Sequence, residues 1–222
     1  MKGFFITGTD TDAGKTEMAA GIVYKLVEKG LKVAGMKPIA SGCDETENGL
    51  RNSDAQKLIA VANTDLPYEL INPYTFKDPI APHIAAEQSG AQIDMARIVE
   101  NYQKIALQAD VVVVEGVGGW TVPIDANQRM DDLALALNLP VILVVGIRLG
   151  CINHTLLTYE AIKSKGLTVA GWIANYISPD DLCLQEQTQS IKDRISAPLI
   201  GEVSFSDEIS AKYVAQHLEV EL

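Results

Sequence analysis

Short apolar runs alternate with amphipathic stretches along most of the chain. The apolar runs are rich in valine and isoleucine and are bounded by Gly, Pro, Asn or charged residues, as buried strands are. We predict strands at Gly3 to Thr7, Lys32 to Met36, Val111 to Val114, Val141 to Val145, Thr168 to Ala174 and Leu199 to Val203.

Helical patterns separate most of these strands. Apolar residues recur three and four positions apart in five stretches, which indicates helices with one buried face. These stretches are Lys15 to Lys29, Asp94 to Gln108, Asp131 to Asn138, Ile152 to Lys165 and Leu182 to Arg194. Gly30, Asn138 and Gly166 directly follow or end three of them, where residues that tolerate a left-handed backbone terminate helices. Alternating strands and helices predict a doubly wound α/β fold, with a mostly parallel sheet flanked by helices.

One segment, Ile39 to Pro82, departs from this alternation. It has little apolar periodicity and many Pro, Asn, Asp and Gly residues, so we expect a long functional excursion around one short helix, Ser53 to Ala62. With 222 residues, of which 47% are hydrophobic, the chain has enough apolar material for one buried core. We therefore expect a single α/β domain over residues 1–222.

Charge and cysteine usage narrow the class of protein. The formal net charge of -11 disfavours nucleic acid and anionic membrane surfaces as partners. Three widely separated cysteines suit neither a disulfide framework nor a metal site, and no apolar run reaches the ~20 residues of a membrane span. The start of the chain lacks the apolar core of a signal peptide. We expect a cytoplasmic protein.

The segment from Gly8 to Thr16, GTDTDAGKT, follows the first predicted strand and opens the first predicted helix. This is the context of a P-loop, whose backbone N–H groups cradle nucleotide phosphates. Lys15 would neutralise the β- and γ-phosphates, and the Thr16 hydroxyl would ligate Mg²⁺. The first glycine stands at Gly8, one residue earlier than the usual pattern. The alternative is an ordinary strand-to-helix turn with an exposed lysine.

Glu115 ends the run of four valines and precedes Gly116, Gly118 and Gly119. A carboxylate at the end of a strand beside the P-loop strand would face Mg²⁺ on the phosphates, and the glycines would allow close approach of the backbone to substrate. The alternative for Glu115 is a helix cap or turn acid. Asp54 is as well placed to cap or charge the first turn of its helix as to bind metal.

Several blocks, taken in order, closely resemble the dethiobiotin synthetase family. They cover nearly the whole chain: GTDTDAGKT, GMKPIASG from Gly35, GLRNSDA from Gly49, NPYTF from Asn72, VEGVGGW from Val114, VILVVGIRLGCINHT from Val141 and GWIAN from Gly171. The resemblance implies an enzyme that carboxylates 7,8-diaminononanoate with CO₂ and uses ATP and Mg²⁺ to close the cyclic urea of dethiobiotin, in biotin biosynthesis.

The resemblance also implies roles for residues around the phosphates. Lys15, Lys37 and Thr11 become catalytic, Ser41 binds substrate, and Thr16, Asp54 and Glu115 form the Mg²⁺ shell. Such a site needs cations and oriented dipoles, because negative charge builds up on the transferring phosphoryl group and the carbamate. Without the family, a solvated strand-end lysine would be the default interpretation of Lys37.

Gly150, Cys151 and Asn153 open a predicted helix, whose N-terminus suits a carboxylate. In the family this segment meets the substrate tail from the other subunit, so the resemblance implies a homodimer with shared sites. Cys151 lacks a nearby base in sequence and suits a small buried filler, and His154 suits a capping or packing role.

Asn175 matches the amide that reads adenine in the family, and Tyr176 follows it where an acid is frequent. Ser204 likewise stands where a proline is common, so the preference for ATP over CTP or GTP is open. The resemblance implies a nucleotide site composed of Asp12, Ala13, Gly14, Lys15, Thr16, Glu115, Gly116, Gly118, Asn175 and Tyr176.

Two other classes share the general pattern. Deviant P-loop switch ATPases are binding modules gated by nucleotide, but they have an additional lysine at the position of Asp10. Cobyrinate-type amidotransferases append a glutaminase domain, for which 222 residues leave no room. Both observations favour the resemblance to the dethiobiotin synthetase family over these two classes.

Overall fold

The computed structural model describes residues 3–220. Its strands and helices, in chain order, are β1 (Gly3–Gly8), α1 (Lys15–Glu28), β2 (Val33–Met36), β3 (Ile39–Ala40), β4 (Asp44–Thr46), β5 (Gly49–Arg51), α2 (Ser53–Val61), α3 (Tyr68–Ile71), β6 (Tyr74–Thr75), α4 (Pro82–Ser89), α5 (Met95–Ala106), β7 (Val111–Gly119), α6 (Met130–Leu137), β8 (Val141–Ile147), α7 (Cys151–Ser164), β9 (Val169–Tyr176), α8 (Leu184–Lys192), β10 (Leu199–Val203) and α9 (Ala211–Gln216).

A six-stranded sheet with the order β10-β9-β8-β1-β7-β2 forms the centre of the described residues. Its pairings are all parallel, which confirms the predicted doubly wound α/β fold. In the register of the central strands, Ile6 of β1 lies beside Glu115 of β7 and Ile142 of β8. The carboxyl ends of β1, β2 and β7 therefore meet at one edge, where α/β folds bind ligands.

Helices bury both faces of the sheet. On one face Phe5, Val112 and Val114 pack in a cluster with residues of α4, α5 and α6. On the other face Ile6 and Val113 pack with residues of α1 and α9. Burial on both faces explains why the central strands are continuous apolar runs rather than alternating ones.

The predicted strands and helices are confirmed, with boundaries that differ by a few residues. The helix ends are also confirmed: Gly30, Asn138 and Gly166 have φ of 83°, 50° and 79°, in the left-handed region. In the described part of the chain, no helix has both the length and the hydropathy to cross a bilayer.

The sequence patterns missed the short elements. The excursion contains the exposed hairpin of β4 and β5, the small parallel pair of β3 and β6, the helix α3 and, at its end, α4. The C-terminal segment contains α9, which packs on α1. The strands β3 to β6 and the helices α3 and α9 have two to six residues, too few for their periodicity to be recognised, and α4 has little separation of apolar and polar faces.

Close packing of α9 on α1 depends on Gly21. A Cβ at this position would lie 2.3 Å from Val214 Cγ1 and 2.6 Å from Val214 Cβ, both in α9. Glycine in a helix interior is ordinarily unfavourable, so its position here is explained by the closeness of the two helices.

Gly21→Ala should therefore lower the free energy of unfolding by about 1–3 kcal/mol, because overpacking outweighs the ~1 kcal/mol that alanine adds in helix propensity. Urea denaturation measures the change. Adding Val214→Ala makes room for the new methyl group, so Gly21→Ala should cost less in that background. A stabilising Gly21→Ala substitution would contradict the close packing.

Candidate active site

A buried lysine joins two carboxylates at the carboxyl edge of the sheet. Lys37 directly follows β2 and is only 3% exposed. Its Nζ lies 2.6 Å from Glu115 Oε1 on β7 and 3.0 Å from Asp54 Oδ2 in the first turn of α2. It also donates to the carbonyl of Gly116 at 3.3 Å. The interpretation of Lys37 as a solvated strand-end lysine is wrong.

Electrostatic interactions favour the charged forms of Lys37 and Asp54. Burial disfavours the Lys37 ammonium, but Glu115 and Asp54 outweigh it and raise the pKa of Lys37 above its ordinary value. Burial also disfavours the Asp54 carboxylate, yet the charge and the hydrogen bond of Lys37, together with the charge of Lys57, lower its pKa. Lys37 is therefore a fixed positive charge in the site.

Asp54 is free to face this cluster because another residue caps its helix. The Asn52 side chain accepts hydrogen bonds from the backbone N–H groups of Asp54 (3.1 Å) and Ala55 (3.2 Å). The Asp54 carboxylate instead reaches Lys37, so the capping alternative for Asp54 is wrong.

Thr16, Asp54 and Glu115 have the chemistry of a Mg²⁺ site. The Thr16 hydroxyl donates to Glu115 Oε1 at 2.7 Å, and Glu115 Oε2 is buried with no hydrogen-bond partner among residues 3–220. An orphaned carboxylate oxygen beside a hydroxyl suits a hard cation. Within those residues no group of three or more His, Cys, Asp or Glu could hold a metal. These three residues would therefore form part of the coordination shell of an ion whose other ligands come from phosphate and water.

The P-loop curls around Lys15. Lys15 is buried, and its Nζ donates to the carbonyls of Asp10 (2.9 Å) and Thr11 (3.1 Å). The alternative of an exposed lysine is wrong. Gly14 has φ of 86°, and a Cβ there would lie 2.2 Å from Asn175 Nδ2, so only glycine fits between the loop and β9.

Asn175 supports the same loop. Its Nδ2 donates to the carbonyl of Ala13 at 2.9 Å, which links the end of β9 to the P-loop. Tyr176 points to the opposite face, where its hydroxyl donates to Glu202 at 2.8 Å and accepts from Gln185 at 3.0 Å. Tyr176 and Ser204 line one cavity of about 530 Å³ beside this strand. Their role in base recognition stays a prediction.

A cavity of about 680 Å³ brings most of the predicted residues together. The predicted residues that line it are Thr11, Asp12, Gly14, Lys15, Thr16, Lys37, Ser41, Asp54, Glu115 and Gly118. Ser41 Oγ is buried with no hydrogen-bond partner in the described part of the chain, so this cavity offers an unpaired hydroxyl that can donate and accept. Ala13 and Gly116 lie behind this lining, as backbone acceptors for Asn175 and Lys37.

Sequence reasoning missed part of the cavity wall. The additional residues are Glu17, Lys57, Pro79, Ile80, Ala81, Pro82, Val117 and Val122. Pro79, Ile80 and Ala81 precede α4 and Pro82 begins it, and no periodicity revealed this helix. Reasoning also missed Arg148, which follows β8 and pairs with Asp10 of the P-loop; its only signal was a basic residue at the carboxyl end of a strand.

Gly150, Cys151 and Asn153 do not line this cavity within residues 3–220. Gly150 precedes α7 with φ of 97°, Cys151 is buried with its thiol 3.2 Å from Gln187 Oε1, and Asn153 is exposed. Burial raises the pKa of the Cys151 thiol, which agrees with a packing role. Within one chain, the N-terminus of α7 therefore lies outside the cavity that contains the P-loop.

The parallel sheet, the Gly8–Thr16 loop and Glu115 beside it define a P-loop nucleotide-binding protein. The AAA domain family matches residues 2–212. An ATP-dependent dethiobiotin synthetase BioD of Pseudomonas aeruginosa (strain UCBPP-PA14) is 47% identical over 99% of this chain and 97% of its own length. The one of Cellvibrio japonicus (strain Ueda107) is 47% identical over 99% and 96%. The chain belongs to the ATP-dependent dethiobiotin synthetase family, whose members are ligases.

Solved structures of low identity share the fold. The septum site-determining protein MinD of Pyrococcus horikoshii, in complex with Mg-ADP, superposes with a TM-score of 0.61 at 15% identity, over 96% of this chain and 86% of that one. MinD of the MinC:MinD complex of Aquifex aeolicus gives 0.59 at 17% identity, over 97% and 86%. These likenesses show the fold alone.

The pKa of Lys15 predicts how nucleotide affinity depends on pH. Burial and the charge of Lys37 lower this pKa from 10.5 to about 8. Bound phosphates favour the charged lysine, so above pH 8 binding has to take up a proton. Affinity should be constant below that pH and fall by up to about tenfold per pH unit above it. Calorimetric titration with Mg-ATP between pH 7 and 9.5 measures this.

The Lys15→Gln variant is the control for this titration. It should bind Mg-ATP more weakly at every pH and show no such slope, because the titrating group is gone. A wild-type affinity that stays constant up to pH 9.5 would mean that Lys15 keeps an ordinary pKa in the free protein.

Proposed function

We propose that this chain catalyses the ATP- and Mg²⁺-dependent closure of the ureido ring of dethiobiotin from 7,8-diaminononanoate and CO₂. The observation on which this rests is the Lys37 ammonium held between Glu115 and Asp54 beside the P-loop. A generic nucleotide hydrolase needs Lys15 and the metal, but a second buried lysine beside the phosphates suits a second anionic reactant.

The reaction divides into three steps. One amine of the substrate adds to CO₂ and loses a proton, which gives a carbamate. A carbamate oxygen then attacks the γ-phosphorus of ATP and displaces ADP, forming a carbamic-phosphoric anhydride. The second amine attacks the carbonyl carbon, expels phosphate, loses a proton and closes the ring. Bound Mg²⁺ would neutralise phosphate charge during the transfer.

The residues of this chain position the reactants and stabilise charge. Lys15 and the loop N–H groups hold the β- and γ-phosphates, and Thr11 at the cavity wall completes this end of the site. Lys37 is placed to neutralise the carbamate and the transferring phosphoryl group. Thr16, Asp54 and Glu115 would hold Mg²⁺, with Glu115 Oε2 as the free oxygen.

Other residues of the cavity wall suit the rest of the substrate. Ser41 offers a hydroxyl with no partner in residues 3–220, and Val117, Val122 and Ile80 offer apolar surface for an alkyl chain. A diamine with a hydrocarbon tail matches this combination of one polar contact and an apolar strip.

A homodimer would supply the residues that one chain keeps apart. Leu149, next to Gly150, is 94% exposed, and Leu157 on α7 is 60% exposed. Leu157 lines a groove of about 470 Å³ with Trp120 and Val122, and Val122 also belongs to the cavity wall. A partner packed here would bring its α7 N-terminus, with Gly150, Cys151 and Asn153, to the carboxylate of the substrate.

The net charge of -11 and three free thiols suit a reducing cytoplasm as the place of this reaction. Nucleic acid and membranes are not among the proposed partners.

Purified protein should release ADP only when ATP, Mg²⁺, 7,8-diaminononanoate and bicarbonate are present together, and mass spectrometry should detect dethiobiotin. Lys37→Gln, which keeps the neighbouring side chains hydrogen-bonded, should lower turnover at least about a hundredfold, while Mg-ATP affinity changes by less than about threefold. A coupled ADP assay and calorimetry measure the two quantities.

Hydrolysis of ATP at the same rate without the diamine would contradict the proposal, as would dethiobiotin formation by Lys37→Gln at the wild-type rate. Equal loss of nucleotide affinity in Lys37→Gln and Lys15→Gln would contradict the division of labour between the two lysines.

Leu157→Glu should dissociate the proposed dimer, because it places a charge in the apolar groove beside Trp120. Light scattering coupled to size-exclusion chromatography gives the mass in solution. Leu107→Glu is the matched control, since Leu107 is 83% exposed at the end of α5, away from the groove. A monomeric wild type, or dissociation by both variants alike, would contradict this interface.

A further inference from the structure

An ion pair at the cavity wall has no role in the chemistry described above. Glu17 stands in the first turn of α1, directly after Thr16, and Lys57 lies one turn after Asp54 on α2. Their side chains form a salt bridge, and both line the cavity. The pair therefore connects the two helices that contribute Thr16 and Asp54.

The charges around the cavity indicate why this pair matters. The described residues that line it include four carboxylates and three lysines: Asp12, Glu17, Asp54, Glu115, Lys15, Lys37 and Lys57. The incoming nucleotide is a polyanion, so each uncompensated carboxylate beside the phosphates weakens its binding. Glu115 and Asp54 are paired with Lys37 and would also be neutralised by the Mg²⁺ that they are proposed to hold, whereas the Glu17 carboxylate is compensated by Lys57 alone.

Lys57 is suited to this compensating role rather than to direct chemistry. Its side chain is about half exposed, whereas the Lys37 side chain is buried, and its ammonium is engaged by Glu17. An acid in the first turn of a helix is favourable for the helix itself, because it faces the positive end of the helix dipole. The same position puts the negative charge of Glu17 beside the proposed phosphate site.

We propose that Lys57 is a positioning residue for nucleotide binding, which acts by neutralising Glu17 beside the phosphate site. Lys57 lowers the repulsion between the first turn of α1 and the terminal phosphates without contacting them. The inference concerns phosphate binding by the P-loop and holds whether or not the diamine is the second substrate, so binding of a nucleotide analogue tests it and turnover is only a second measurement.

A double-mutant cycle over Glu17 and Lys57 tests this, with calorimetry of Mg²⁺ and the non-hydrolysable analogue adenylyl imidodiphosphate. Lys57→Gln should weaken binding about fivefold in low salt, because Glu17 is left unpaired, and Glu17→Gln should not weaken it. The double variant should return to within about twofold of the wild type. Added KCl should reduce the effect of Lys57→Gln, since salt screens a partly exposed charge.

Two controls separate this effect from fold and net charge. Lys77→Gln removes the same charge from the exposed Lys77–Glu45 pair, which does not line the cavity, and should leave affinity unchanged. Lys57→Arg keeps the charge and should bind as the wild type does.

In kinetic assays Lys57→Gln should raise the KM for ATP and leave kcat within about twofold.

Three results would overturn the proposal. Unchanged affinity in Lys57→Gln would show that Glu17 is too far from the phosphates to matter. A double variant as weak as Lys57→Gln alone would mean that Lys57 acts on the phosphates or on Asp54 rather than on Glu17, or holds α2 in place. A fall in kcat rather than a rise in KM would assign Lys57 to the chemical step.

Discussion

The Lys37 ammonium, buried between Glu115 and Asp54, is the interaction on which the site depends. Burying one charge costs several kcal/mol unless opposite charges and hydrogen bonds compensate it closely. The compensation here comes from two elements other than β2, which Lys37 follows: β7 supplies Glu115, and α2 supplies Asp54. The cluster therefore fixes the ends of β2 and β7 and the start of α2 relative to each other. The same carboxylates line the cavity in which the metal and phosphates are proposed to bind.

The P-loop is held in a comparable way, through its backbone. Asn175 donates to the carbonyl of Ala13, and Lys15 donates to the carbonyls of Asp10 and Thr11. Arg148 pairs with the Asp10 side chain from the loop after β8. The loop thus has supports from β8 and β9 on one side, while the Lys37 cluster lies toward β7 and β2 on the other. The order β9-β8-β1-β7-β2 places the P-loop strand between them.

The sheet and the long helices were predictable because their patterns are strong and local. Valine runs buried on both faces, helical periodicity in α1, and left-handed residues at Gly30 and Asn138 each indicate their structure without tertiary information. The excursion from Ile39 to Pro82 was not predictable in detail. Its hairpin is exposed, and its helices α3 and α4 are so short that tertiary packing, rather than local preference, stabilises them.

By itself, the sequence determined the doubly wound fold, the phosphate loop at Gly8–Thr16 and the acid at the end of the valine strand, because each is encoded within a few consecutive residues. Only the tertiary structure decided between the alternatives that remained. It buried Lys37 rather than exposing it, gave the helix cap to Asn52 and left Asp54 for the site, and turned Tyr176 away from Asn175. It also paired Glu17 with Lys57 and Asp10 with Arg148. These outcomes depend on the direction of side chains across elements that are distant in sequence, which no local pattern records.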